Sequence, residues 1–220
     1  MDPTAGHATR KPASKQEATA RGATFYKGTE VYHESELEHR VSVKIQGRND
    51  VKELHSQYPI LLWIDAEGEI RKHTCDYFVV FDDGFRLAVA VKYEKKKAKM
   101  EDLINRIRIA GFTRHDGKSQ LTVGAVDDMR HISEVDASID DFENAQCILA
   151  SRKHPDAAEY STLFDIVSKL PGRFRLGELL RNCANIAKRR TAIWRLIDDG
   201  HLLAVSTGRI DELAWLRFRG

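Results

Sequence analysis

The stretch from Ile70 to Tyr93 most constrains this chain. Its first half is dense in β-formers, closing on Tyr77-Phe78-Val79-Val80-Phe81. Asp82-Asp83-Gly84 then supplies residues suited to a tight reversal. Phe85 to Tyr93 alternates, with Phe85, Leu87, Val89 and Val91 on one side and Arg86, Ala88, Ala90 and Lys92 on the other. If the turn sets Phe81 opposite Phe85, paired positions sum to 166, which puts Asp76 opposite Ala90 and diagonal to Lys92. Diagonal neighbours on one face of an antiparallel pair lie about 7–8 Å apart at the backbone. A carboxylate and an amine are thereby expected on one face.

Elements of both kinds surround this hairpin. Leu37, Val41 and Ile45 recur at helical spacing from Glu34 to Ile45, and Gly47-Arg48-Asn49-Asp50 ends that stripe. Val51 to Asp65 reads as strand interrupted or entered by Pro59, followed by a turn at Ala66-Glu67-Gly68. Lys95 to Ala110 reads as helix, Gln120 to Val126 as a short strand and Phe142 to Arg152 as helix. After His154-Pro155 the order becomes three helices (160–170, 176–183, 188–199) and two short strands (201–206, 211–217) joined at Thr207-Gly208-Arg209. That is winged-helix grammar. The expected organisation is a tail over 1–22, an α/β domain over 23–154 and a small domain over 155–220.

Composition excludes several classes. Among 220 residues, 42% are hydrophobic, enough for a core, and no apolar run approaches the roughly 18 residues of a membrane span. No signal-like apolar segment opens the chain, so a cytoplasmic protein is expected. Cys75, Cys147 and Cys183 form no CxxC, which predicts reduced thiols rather than a disulfide framework or a zinc site. Net charge is only +2, but residues 171–220 carry ten Lys/Arg against five acids. A basic end on an otherwise acidic chain is the pattern of a polyanion-binding module or of a solvated basic face.

A carboxylate beside a lysine can hold a divalent ion and a hydrolytic water together. A second acid is available from Glu34, Glu36 or Glu38 on the preceding helix. Asp76 can equally be a strand-end cap or salt-bridge partner, Lys92 a solvated strand lysine and Glu38 a solvent-facing helix acid.

Four short motifs, in order, resemble the PD-(D/E)xK nuclease superfamily, most closely its TnsA branch, the endonuclease subunit of heteromeric transposases. Ser35-Glu36-Leu37-Glu38 is similar to the family's helix motif, ending on Glu38. Val51 to Ile60, with Gln57-Tyr58-Pro59, is similar to its "QP" strand. Thr74-Cys75-Asp76-Tyr77 stands where the family has TPD and an aromatic, and Val89-Ala90-Val91-Lys92 where it has (E/Q)xK. Cys75 replaces the proline and Ala90 the second acid. Asn144, in Phe142-Glu143-Asn144-Ala145, is similar to the helix closing the family's nuclease domain. The likeness spans roughly 30–150.

The resemblance implies an α/β fold with a restriction-endonuclease-like mixed sheet flanked by helices, plus a C-terminal winged-helix domain. It implies Mg²⁺ or Mn²⁺ held by Glu38, Asp76 and the Val91 carbonyl, with Lys92 positioning water. Double-stranded DNA and a partner transposase or recombinase subunit would be the partners, with no membrane and no small-molecule cofactor. On the winged-helix reading, Lys188, Arg189, Arg190, Thr191 and Arg195 line a recognition helix and Arg209 tips the wing. Because alanine offers no ligand oxygen, two alternatives stay beside cleavage during transposition: a nuclease-fold DNA-binding scaffold, or a protein-interaction subunit.

Overall fold

A computed structural model describes residues 4–5, 21–115 and 120–219. The tail expected over 1–22 lies outside them except at Thr4–Ala5 (β1), Arg21 and Gly22. The chain is α/β and divides into two compact units, one of residues 1–45 and 50–138, the other of 46–49 and 139–220.

The first unit opens with β2 (Gly22–Tyr26) and β3 (Thr29–His33), an antiparallel pair joined at Lys27-Gly28. Both turn residues have positive φ, the conformation a two-residue reversal between twisted strands requires. α1 (Glu36–Gln46) follows, then β4 (Val51–Ser56), β5 (Ile60–Ile64), β6 (Ile70–Thr74), β7 (Tyr77–Phe81) and β8 (Arg86–Val91). A single 3₁₀ turn (Glu94–Lys96) leads into α2 (Lys97–Ile109), and β9 (Arg114–His115), β10 (Leu121–Thr122) and β11 (Asp128–Ile132) complete the unit.

Its central sheet is mixed, in the order β11-β8-β7-β4, with β8 parallel to β11 and antiparallel to β7. α1 covers one face: Leu37, Val41 and Ile45 share a core with Val51, Leu54, Tyr77, Val79, Leu87, Val89 and Val91. α2 covers the other, where Ala88, Ala90 and Met129 meet Met100, Ile104 and Ile107. The small side chains of Ala88 and Ala90 suit the close approach of a helix. The β7–β8 register is the one expected, with Tyr77 opposite Val89 and Val80 opposite Arg86. Gly84, at φ 86°, closes the turn, donating to the Phe81 carbonyl at 3.0 Å.

The β-forming stretch from Ile70 to Phe81 is divided between two sheets. β6 pairs with β5 in a second sheet, ordered β10-β9-β5-β6, while β7 pairs with β4 and β8. The chain changes sheets at Cys75-Asp76, and its partner changes at Gln57-Tyr58-Pro59. Proline has no amide hydrogen to continue the β4 ladder. The two crossings are stitched together, Cys75 donating to the Pro59 carbonyl at 2.9 Å and Gln57 to the Asp76 carbonyl at 2.8 Å.

The second unit contains α3 (Ile139–Lys153), α4 (Ala157–Val167), β12 (Arg173–Arg175), the one-turn α5 (Leu176–Leu179), α6 (Ile186–Asp198), β13 (Leu202–Ala204) and β14 (Trp215–Phe218). α3 packs on α6, so this unit starts at Ile139 rather than near 155. Asp156 and Asn185 cap α4 and α6 by accepting from the third amide along, Glu159 and Lys188. The antiparallel sheet runs β12-β14-β13, and Phe174, Leu202 and Leu216 on its inner face join Leu163, Ile193 and Leu196 of the helices. Arg152 ties the 46–49 segment into the unit, donating to the Gln46 and Gly47 carbonyls at 2.9 Å each and to both Asp198 carboxylate oxygens.

The three cysteines are free. Burial holds the Cys75 thiol well above its usual range, so it stays protonated. Among the described residues no helix is long and apolar enough to cross a membrane.

Candidate active site

The sheet crossing creates the site. Beyond Tyr77–Val89 the β7 partner turns away from β8, so the Val91 amide needs another acceptor. Asp76 Oδ2 takes it at 2.7 Å. Lys92 Nζ stands 3.5 Å from the same oxygen. Asp76 therefore does the bland work open to it, capping a strand and pairing with a lysine. It is 9% exposed, which leaves its carboxylate within reach of solvent.

Glu38 arrives from the first turn of α1. Ser35 and Glu38 have the S-x-x-E spacing of a capping box, and the geometry is close to one. Ser35 Oγ accepts from the Glu38 amide at 3.2 Å and donates to Glu38 Oε1 at 3.1 Å, while Oε2 accepts from the Glu34 amide at 2.7 Å. Tyr77, fully buried, donates its hydroxyl to the Glu38 carbonyl at 3.0 Å and so ties the helix start to β7.

Glu38 lies within electrostatic reach of the Asp76–Lys92 pair, although 54 positions of sequence separate Glu38 from Lys92. Their fields overlap. Burial raises the Glu38 carboxyl above its ordinary range and the negative charge of Asp76 raises it further; the hydrogen bonds from Glu34 and Ser35 and the charge of Lys92 pull the other way. Two carboxylates face one ammonium, an excess of negative charge that a divalent cation would balance. The donor set fits Mg²⁺, which is held by one or two carboxylates and keeps several waters. It is not a ready-made cage: among the described residues no three His, Cys, Asp or Glu side chains converge as a metal site. Val91 reaches Asp76 through its amide, with its side chain in the α1-side core.

Ala90, where the resembled motif carries an acid or amide, is fully buried with Cys75, Met100 and Ile104. Sequence reasoning missed His73 on β6. Burial lowers its basicity, the negative charge of Asp76 raises it and the charge of Lys92 lowers it. The signal for it was its place three residues before Asp76 in a stretch of strand. His33 ends β3, and its ring stacks on that of His39 of α1, with centroids 4.3 Å apart. Burial and the neighbouring ring lower His33 to about 4.

The basic residues expected on a recognition helix lie on α6 or beside it, each engaged within its own unit. Lys188 pairs with Asp156 at 2.7 Å, Arg190 with Glu212 at 2.6 Å and Arg195 with Asp199 at 3.1 Å. Thr191 bonds back to the Ala187 carbonyl at 3.1 Å. Arg209 pairs with Glu143 at 3.0 Å. Arg189 differs in kind. It shares the buried stripe with Ile193 and Leu196, is 6% exposed, and is held by the Glu159 carboxylate and the Leu179 carbonyl. It is a core residue of the second unit.

Asn144 spans a loop of the second unit, donating to the Gly208 carbonyl and accepting from the Ile210 amide, both at 2.9 Å. No protein-family model matches this chain, and no curated protein matches it either.

Proposed function

We propose that this chain is a metal-dependent DNA endonuclease similar to a TnsA-type transposase subunit. The observation that carries the reading is the Asp76–Lys92 pair at the end of β8, with Glu38 near enough for its carboxylate to feel both charges. Glu38 and Asp76 would hold Mg²⁺ or Mn²⁺, which supplies charge stabilisation to a phosphate and acidity to water. Lys92, held at its root by the strand and at its tip by Asp76, orients a water or offers its charge to the phosphate. The mixed sheet between two helices supports the restriction-endonuclease-like reading. The order α4-β12-α5-α6-β13-β14, with β14 central in its sheet, supports a winged helix. DNA, a partner transposase or recombinase subunit and a cytoplasmic setting follow from that reading.

Calcium titration by calorimetry, with DNA-binding assays in Ca²⁺ and in EDTA, tests it. Wild type should bind the ion and bind DNA more tightly with it, while Asp76→Asn and Glu38→Gln should lose both gains. Equal DNA binding in all conditions would sink the nuclease reading. The second reading, a nuclease-fold DNA-binding scaffold without cleavage, is favoured by one observation: Ala90 is sealed in the α2-side core and offers no ligand.

A further inference from the structure

The charge of α6 is spent inside the second unit, and that directs attention to the opposite side of its sheet. Phe174, Leu216 and Leu202 face the helices, so strand alternation turns Arg173, Arg175, Trp215 and Arg217 outward. The register sets Arg173 directly opposite Arg217 and Arg175 directly opposite Trp215. Arg219, two residues beyond Arg217, continues the row. The Arg175 guanidinium lies 4.6 Å from the centre of the Trp215 ring, leaving Trp215 40% exposed. Arg173, Arg217 and Arg219 are exposed, and none forms an ion pair or side-chain hydrogen bond among the described residues.

Directly opposed like charges destabilise an antiparallel pair. A fold that pairs every basic residue of α6 with an acid nevertheless leaves two arginines face to face on the open sheet. An anion between them removes that repulsion. Guanidinium forks bind phosphate bidentately, and residues two apart on a strand stand about 7 Å from each other. Rows of arginine beside a half-exposed aromatic ring suit a polynucleotide, with phosphates on the arginines and a sugar or base against the ring.

We infer that the outer face of the β12-β14-β13 sheet, and not α6, is where the second unit holds the phosphate backbone of DNA. Naming DNA as the polyanion rests on the function proposed above. The sheet's role is tested separately from the metal site because binding is read without any divalent ion.

The full chain would be titrated onto labelled random-sequence duplex in EDTA at 50 to 200 mM salt. Each phosphate contact contributes roughly 0.9 to the slope of log affinity against log salt. Losing two in Arg173→Gln/Arg217→Gln should lower the slope by about 1.8, so wild type loses about 12-fold more affinity over that range than the double variant. Lys188→Gln/Arg190→Gln should change the slope by less than half as much. Arg217→Glu, which places opposite charges face to face, should raise the thermal midpoint and weaken DNA binding together. An unchanged slope for Arg173→Gln/Arg217→Gln overturns the inference. So does arginine-dependent binding to phosphatidylserine vesicles, or to an acidic peptide, in a protein that does not bind the duplex.

Discussion

Arg189→Ala separates a core arginine from a DNA-reading one. The guanidinium is buried and donates to the Glu159 carboxylate and, at 3.1 Å, to the Leu179 carbonyl. Removing one member of a buried ion pair costs about 3–5 kcal/mol, because the other charge is left without a partner. Glu159 keeps 17% of its side-chain surface exposed and can recover some hydration, which favours the lower end, about 3 kcal/mol. For a unit of this size each kcal/mol moves the midpoint by about 4–8 °C, so the second unit's melting should fall by roughly 12–24 °C. Calorimetry and urea denaturation followed by tryptophan emission would measure this, Trp194 and Trp215 reporting that unit. The double change Arg189→Met/Glu159→Leu removes both charges and should return stability to within about 1 kcal/mol of wild type. DNA binding of Arg189→Ala, read well below its melting point, should keep the wild-type salt slope. Stability within about 1 kcal/mol of wild type, with a slope reduced by about 1, would refute the reasoning and return Arg189 to the DNA surface.

Three further outcomes follow from the geometry. Because Glu38 is raised in the folded state, its contribution to apo stability is full below the ordinary carboxylate value and fades as pH rises through the raised one. Glu38→Gln should therefore be more stable than wild type at pH 8 without metal, read by urea denaturation, and Ca²⁺ affinity in wild type should climb as pH rises above the ordinary carboxylate value; equal stabilities would contradict the first and flat calorimetric titrations the second. Ala90→Glu inserts a longer, charged group among Cys75, Met100 and Ile104, and should cost about 3 kcal/mol or more in EDTA, measured by urea denaturation. Arg152→Ala removes donors from the Gln46 and Gly47 carbonyls and from Asp198, whose side chain is 2% exposed, and should destabilise the second unit by about 3 kcal/mol; Arg152→Lys, lacking the planar fork, should recover less than half in the same assay.

The hairpin was legible in the sequence because a turn and an alternating strand leave little choice of register, and a slip by one would turn Leu87, Val89 and Val91 away from α1. That register brought Asp76 and Lys92 together before any coordinates. The α1 stripe was legible for a similar reason, its spacing being one turn. The change of sheet at Cys75 was hidden, since alternation tells which side a residue faces but not which sheet it joins. β11 escaped notice because Asp-Met-Arg-His-Ile shows only two apolar residues, although Met129 is buried. It is recruited by the open edge of β8, a tertiary cause. Arg189 was misread by residue type: its spacing to Ile193 and Leu196 already set it on the buried stripe. Glu38 carried a double signal, since Ser35 three residues earlier is as much a capping-box partner as part of a nuclease motif.

The crossing at Asp76 has a bearing on speed. The peptide groups around it are bonded to Pro59, Gln57 and Val89, which belong to strands or junctions of both sheets. A carboxylate carried on a loop would have to be gathered in at each encounter with an ion. Here its backbone is fixed to both sheets, so the carboxylate is held in place before an ion arrives. Ion capture at such a place would be governed by shedding water from the cation, and its rate would change little with solvent viscosity.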